Sequence, residues 1–331
     1  MATIADVARV AGVSTATVSH VLNGTRTVRE QTRKAVEAAI ESTQYSPNTL
    51  ARSLATASTR SIAVVMSAIS NPYFAQVLQG IESEVVRHGY TLLLADSRDD
   101  VDHELTVVRN MHQRRVDGLI LAPSSASGAA LEYLRAHSVP VALADRLVDD
   151  RYDQVGPENV EPTARLVDHL AELGHTRIAM VAGRSGLSTT DERVRGYRTA
   201  LRRNGLDPDP DLLVEGHSET GRAARAAASL LEHPRHPTAI IAANNSMTIG
   251  VMQALHEAGL RVPDDIALVG FDDFPWAEWF SPRLTVIAQP CEQIGATAAR
   301  LLLRRLADRH AEPETHRLPS VLVHRASCGC A

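Results

Sequence analysis

Residues Thr3–Gly24 read TIADVARVAGVSTATVSHVLNG, two short apolar-periodic runs with only Gly12, Val13 and Ser14 between them. Thr3 can cap a helix whose apolar side is Ile4, Val7, Ala8 and Ala11, with Asp6 in the first turn, where a carboxylate suits the unpaired N–H groups. Gly12 supplies a left-handed residue that ends it. Ser14 caps a second helix, about Thr15 to Leu22, with Val18, Val21 and Leu22 as its buried side and Asn23-Gly24 as its stop. The connection has the length of the turn in a helix-turn-helix. Ala8 is small where two helix backbones must cross closely.

With Val13, Val18, Val21 and Leu22 turned inward, Thr15, Ala16, Thr17, Ser19 and His20 remain for the outside of the second helix. Short hydroxyls, a methyl and an imidazole can approach base edges and phosphates in a DNA major groove, where long acidic side chains are repelled. A third helix, about Glu30 to Ser42, is amphipathic through Val36, Ala39 and Ile40 and closes a three-helix core. Charge agrees with this reading. Residues 1 to 58 carry net +2, while the rest of the 331-residue chain carries -7, so a small basic head stands on an acidic body.

After the head comes YSPNTLARSLATAST, in which Leu50 and Leu54 stand four apart. Eight or nine residues are too few for an isolated helix in water. The segment is therefore a plain linker, or it is folded by a partner subunit or by DNA, where a leucine can wedge between base pairs of the minor groove.

From Ser61 onward, short apolar runs alternate with helical stretches. Strands are expected at 61–67, 91–97, 116–123 and 140–145, then at 176–183, 212–216, 238–244 and 266–273. Helices are expected near 73–88, 101–114, 128–137, 161–173, 191–204, 220–232 and 246–258. The fold class is thus an all-α helix-turn-helix head plus an α/β body of two doubly wound parallel-sheet lobes. Ligands of such sheets bind beyond the carboxyl ends of the strands. The polar residues there are Asn71, Asp96, Ser124, Asp145-Arg146, Gly183-Arg184, His217, Asn244-Asn245 and Asp272-Asp273, with Arg193 nearby and Phe74 and Trp276 as apolar faces. Carboxylates, a guanidinium and amides at two facing lips suit a small hydroxyl-rich ligand.

Composition narrows the class further. The content is 44% hydrophobic and 22% charged, with three cysteines. This fits a globular cytoplasmic protein without a disulfide framework. The N-terminus lacks the pattern of a signal peptide, and no apolar run approaches a membrane span. No phosphate-binding loop, nucleophile elbow, H-E-x-x-H or dinucleotide fingerprint is present, and His175 reads as a loop or helix-end residue, so no enzyme is expected. Cys328 and Cys330 with His324 form a lone C-x-C, which reads as a frayed tail. No metal and no cofactor are expected.

The stretch TIADVARVAGVSTATVSHVLNGTRTVREQTRKAVEAAIESTQYSPNTLARSL, followed by RSIAVVM, NPYFAQVLQGIE, RVDGLIL, LGHTRIAMVAG, PTAIIAANNSMTIGVMQALHEAGLRVPDDIALVGFDD and PRLTVIAQP, resembles the LacI/GalR family of bacterial transcription regulators over essentially the whole chain. The resemblance implies a homodimer on a pseudopalindromic double-stranded DNA operator, its two reading helices entering successive major grooves. The segment Asn48 to Ala55 would be a hinge helix paired with its mate in the minor groove, with Leu54 as the wedge. The DNA-contacting set is then Thr3, Ser14, Thr15, Ala16, Thr17, His20, Arg26, Asn48, Leu54 and Ala55. Ala16 offers only a methyl, which selects by apolar contact with thymine or by size.

The body resembles a periplasmic sugar-binding fold whose chain crosses between lobes near 158–162, 288–291 and 317–320. The domains are then 1–46 (head), 47–58 (hinge and linker) and 59–331 (effector binding and dimerisation). The first lobe takes about 60–159 and 290–318, with a helix at about 291–309, and the second about 160–289 and 319–331, with the strand SVLVHR. Family effector positions fall on Phe74, Asp145, Arg193, Asn244, Asp272 and Gln289, to which the strand-end reading adds Arg146, His217 and Trp276. The expected effector is a sugar or sugar derivative controlling carbohydrate genes. A purine is the alternative, because the head is most similar to that of purine-responsive members. Against it, His217 stands where an aromatic platform would be, and Leu187 where an arginine would contact a purine. The leucine-rich tail of tetrameric members is missing, so a dimer is expected. A transport protein or an α/β sugar enzyme would share the body but has no use for Thr3 to Leu54.

Overall fold

The computed structural model describes residues 2–23, 26–46, 58–67 and 71–330. The expected hinge residues Asn48, Leu54 and Ala55 and the stop at Gly24 lie outside the described residues. The chain divides into two compact units, Met1–Thr59 and Arg60–Ala331.

The first unit holds helices α1 (Ile4–Ala11), α2 (Thr15–Asn23) and α3 (Glu30–Thr43). Thr3 and Asp6 close a reciprocal capping box at the start of α1, and Gly12 ends it in the left-handed region with φ 67°. The Ser14 hydroxyl accepts the Thr17 backbone N–H at 3.1 Å and so starts α2. Val7, Ala8, Val18, Val36 and Ala39 form the buried centre, flanked by Ile4, Ala11, Val13, Val21, Leu22, Ile40 and Tyr45. The inward side read from the sequence is the side that is buried.

The second unit contains two six-stranded sheets. In the first, β1 (Ser61–Met66), β2 (Thr91–Asp96), β3 (Gly118–Leu121), β4 (Val141–Ala144), β5 (Asp153–Pro157) and β11 (Thr315–Leu318) run in the order β11-β5-β4-β3-β1-β2, all parallel. In the second, β6 (Ile178–Ala182), β7 (Leu213–Glu215), β8 (Ala239–Ala242), β9 (Ala267–Phe271), β10 (Thr285–Ala288) and β12 (Val321–Val323) repeat that order as β12-β10-β9-β8-β6-β7, and only β12 is antiparallel. The order reverses beside β1 in one sheet and beside β6 in the other, which places a switch point at the end of each.

Helices α4 (Pro72–Arg87), α5 (Val101–Gln113), α6 (Gly128–Ala136) and α11 (Cys291–Ala307) clothe the first sheet; α7 (Val160–Glu172), α8 (Ser188–Arg203), α9 (Thr220–Glu232) and α10 (Asn245–Glu257) clothe the second. The chain therefore passes between lobes after β5, after β10 and after β11. Three strands escaped the sequence reading, β5, β10 and β11. The sequence of β5 is DQVGP, whose Asp, Gly and Pro all argue against a strand, yet all five residues are buried. Its place between β4 and β11 comes from packing. Among the described residues no helix is long and apolar enough to cross a membrane.

Candidate nucleic-acid interface and effector cleft

On the head, Thr3, Ser14, Thr15, Ala16 and Arg26 are exposed, and Thr17, Ser19 and His20 are half-buried. The face of α2 opposite Val18 is thus short, neutral and open. Three of the nominated residues also hold the fold. The Thr3 hydroxyl donates to Asp6 at 2.8 Å, and the Ser14 and Thr17 hydroxyls share a hydrogen bond of 2.9 Å. Thr15 and Ala16 have no such local duty in the capping network, and they stand at the N-terminal end of α2, the end that meets base edges when a reading helix enters the major groove.

In the second unit, a cleft of about 60 Å³ lies where the carboxyl ends of both sheets face each other, with Ser67, Phe74, Asp145, Arg193, Asp272 and Gln289 in its lining. Two of its carboxylates correspond between the lobes. Asp145 follows β4 and Asp272 follows β9, and both adopt left-handed backbones, with φ 70° and 77°. That conformation is uncommon outside glycine, asparagine and aspartate, and such backbones cluster where a side chain must be aimed.

Each charge is held by specific partners. The Tyr73 hydroxyl donates to Asp145 Oδ1 at 2.6 Å. Arg146 pairs with Asp99 and with Asp145, and also donates to the Pro123 carbonyl at 2.7 Å. Arg193 donates to Asn159 Oδ1 at 2.9 Å and to the Ala243 carbonyl at 2.6 Å, with its guanidinium carbon 3.7 Å from the centre of the Phe271 ring. Asp272 Oδ2 accepts the Asn245 backbone N–H at 3.2 Å, and its Oδ1 accepts from the Gln289 amide. The Gln289 side-chain oxygen, Oε1, is buried with no hydrogen-bond partner.

Burial shifts these groups. It raises the Asp272 carboxyl above the ordinary aspartate value against the pull of Arg193, and it lowers the Arg193 guanidinium. The Cys291 thiol, near Asp272, is pushed up to about 12 by burial. Tyr73 is held well above the ordinary phenol by burial and by Asp145.

Of the nominated effector residues, Phe74, Asp145, Arg146, Arg193, Asn244, Asp272 and Gln289 line the cleft together. His217 and Trp276 do not. Left-handed backbones at His217 and Ser218 turn the chain, so that Ser218 lines the cleft while His217 Nε2 lies 3.2 Å from Glu215. Trp276 sits in a 3₁₀ turn that folds it onto Phe274 and Phe280, with ring centroids 3.5 and 4.9 Å away, at the edge of the second-lobe core. Sequence reasoning missed Tyr73, Asp99, Thr189 and Thr190 as lining residues, whereas Leu187, which it set at a ligand-contact position, does line the cleft. Tyr73 had a readable signal, since it follows an Asn-Pro helix start at a strand end; Thr189 and Thr190 had none, because the observed helix begins three residues earlier than its apolar period indicated.

A helix-turn-helix head and a two-lobed α/β body with a charged cleft, carried in one chain, have the architecture of a DNA-binding regulator. Residues 3–48 match the family model described as bacterial regulatory proteins, lacI family, and residues 167–328 match the periplasmic binding protein-like domain. The chain is 36% identical over 329 residues to the HTH-type transcriptional repressor PurR of Aliivibrio salmonicida, covering 99% of both chains. Among solved structures, it superposes on the lac repressor dimer bound to operator and the anti-inducer ONPF with TM-score 0.88 and 31% identity, covering 99% of each chain. The transcriptional regulator CelR in complex with cellobiose gives TM-score 0.74 and 30% identity, covering 99% of this chain and 100% of that one. The chain belongs to the LacI family of bacterial regulatory proteins. It is a DNA-binding transcriptional repressor and not an enzyme.

Proposed function

We propose that this repressor binds a pseudopalindromic operator as a homodimer in the cytoplasm and is switched by a sugar or sugar derivative held between its lobes, so controlling carbohydrate genes. The observation that carries this reading is the lining of the cleft: the carboxylates of Asp99, Asp145 and Asp272 and the guanidiniums of Arg146 and Arg193, all but Asp99 at least nine-tenths buried, with the unpartnered Gln289 oxygen beside them. Paired carboxylates and guanidiniums grip adjacent hydroxyls through bidentate hydrogen bonds, and an orphaned acceptor calls for a hydroxyl donor. Phe74, Asp145, Arg146, Arg193, Asn244, Asp272 and Gln289 are the effector set, with Tyr73 orienting Asp145.

On the head, Thr3, Ser14, Thr15, Ala16, Thr17, His20 and Arg26 are the operator set. Residues 47–58 serve as hinge and linker, with Asn48, Leu54 and Ala55 on DNA, between a head at 1–46 and an effector body at 59–331. The effector acts by changing the angle between lobes, which decides whether the two hinges of a dimer can meet.

A purine is the second reading, favoured by the PurR relatives. Leu187 lies in the cleft lining with an apolar side chain, and the nearby aromatic pair Tyr73 and Phe74 stand edge to face at 5.1 Å rather than as one flat platform. Both features favour the sugar. The test is fluorescence anisotropy of the purified protein on a pool of pseudopalindromic duplexes at fixed salt, with panels of sugars and purines. A change produced only by a sugar supports the proposal; a change produced only by a purine replaces it with the second reading.

A further inference from the structure

The C-terminal Cys-Gly-Cys was read from sequence as a frayed tail, and the fold removes that premise. Ala326–Cys328 form a 3₁₀ turn whose Ser327 hydroxyl accepts the Thr285 N–H at 2.8 Å and donates to the Leu268 carbonyl. Cys328 is 1% exposed, with its sulfur 3.2 Å from the Thr285 hydroxyl. Gly329 has φ 86°, a conformation that favours glycine, and so turns the chain so that the Cys328 and Cys330 sulfurs come together. Both thiols donate to the Arg325 carbonyl at 3.3 Å. Into the same place comes His169, from α7 and far away in sequence. One donor atom each from His169, Cys328 and Cys330 lies within 4.8 Å of the others, and His169 Nε2 is a buried nitrogen with no hydrogen-bond partner.

We propose that His169, Cys328 and Cys330 bind a zinc ion in this second lobe. Two thiolates and an imidazole are the soft and borderline donors that zinc selects, and solvent completes the four positions beside the half-buried Cys330. On binding, each thiol releases one proton, so the two thiolates balance the charge of the ion. A disulfide between the two cysteines would account for the sulfurs but leaves the His169 nitrogen without a partner. The position is separate from the effector cleft: Thr285 begins β10, whereas the cleft residue Gln289 follows its other end. The ion would tie the chain end to α7, the helix that opens the second lobe after the first crossing.

The experiment uses the untagged full-length chain, reduced and stripped of metal, titrated with zinc in competition with a chromophoric chelator. One zinc per chain is expected, with cobalt substitution giving a thiolate-to-metal charge-transfer band and zinc raising the melting temperature. Cys330→Ser, at a half-buried position that tolerates change, removes that band and weakens zinc by at least about 100-fold, beyond the usual loss for an outer-shell partner. His169→Asn weakens zinc to a similar degree, and Cys291→Ser leaves it unchanged. Absence of tight zinc binding, full affinity retained in Cys330→Ser or in His169→Asn, or a Cys328–Cys330 disulfide that persists in reductant would each overturn the proposal.

Discussion

In the proposed effector role, Asp272 would serve a ligand at the expense of the fold. Burial raises its carboxyl above the ordinary aspartate value, so the folded protein holds the proton more tightly than the unfolded chain does. The associated stability is complete below the unfolded carboxyl range and is lost as pH rises through the folded value. At neutral pH the ionised side chain therefore works against folding. Asp272→Asn is expected to raise the melting temperature by about 2–4 °C while weakening the effector by about 10- to 100-fold through loss of a charged hydrogen bond, as read by calorimetry. In the unsubstituted protein, effector affinity should begin to fall on acidification at a pH above the range where exposed aspartates titrate. A flat affinity down to that range would show that the charged form is not the one that binds.

Gly12 gives a second test at this scale. A side chain there would meet no atom within 4 Å, so its left-handed φ of 67° is the whole constraint. Gly12→Val should cost the head about 1–2 kcal/mol and weaken operator binding, whereas Gly12→Asn, which visits that region readily, should cost much less. Equal losses measured by denaturation of the two variants would contradict this account.

Between elements, glycine works by closeness rather than by freedom. A Cβ on Gly80 of α4 would stand 2.1 Å from the Glu292 carbonyl oxygen, and one on Gly295 of α11 would stand 2.0 Å from that of Val77. The two helices cross at these glycines, which is how α11, after a crossing from the second lobe, seats itself on the first. Gly295→Ala is expected to destabilise the body by about 1–3 kcal/mol, the range for overpacking a core, detectable as a lower urea midpoint. A mid-helix glycine is a mark against a helix in sequence, so this role was not legible there. The head was more so. Thr3, Gly12 and Ser14 act through local geometry and chain neighbours, and each was read from its own few residues.

At the scale of the body, hydrogen bonds join the two lobes at several places. Asn245 donates to Asn71 at 2.8 Å, Arg184 donates to the Asp99 carbonyl at 2.7 Å, and Arg317 meets Glu192 through two hydrogen bonds of 2.9 and 3.0 Å. They favour the lobe angle seen here. The Arg317 pair is partly exposed, so its worth is at most about 1 kcal/mol. Arg317→Ala should therefore shift effector affinity by no more than about 5-fold and enlarge the radius of gyration seen by small-angle scattering. An unchanged radius together with unchanged affinity would show that the pair does not bias the lobes.

The sequence by itself determined the head, the twice-repeated α/β alternation and most of the cleft. Caps, turns and apolar periods are local, and polar residues at strand ends must converge once the strands are parallel. Only the tertiary structure decided that DQVGP is a strand, that Ser218 rather than His217 lines the cleft, that Trp276 belongs to a core edge, and that His169 meets the chain end. Each of these depends on neighbours far away in sequence, whose approach is set by packing that no local pattern records.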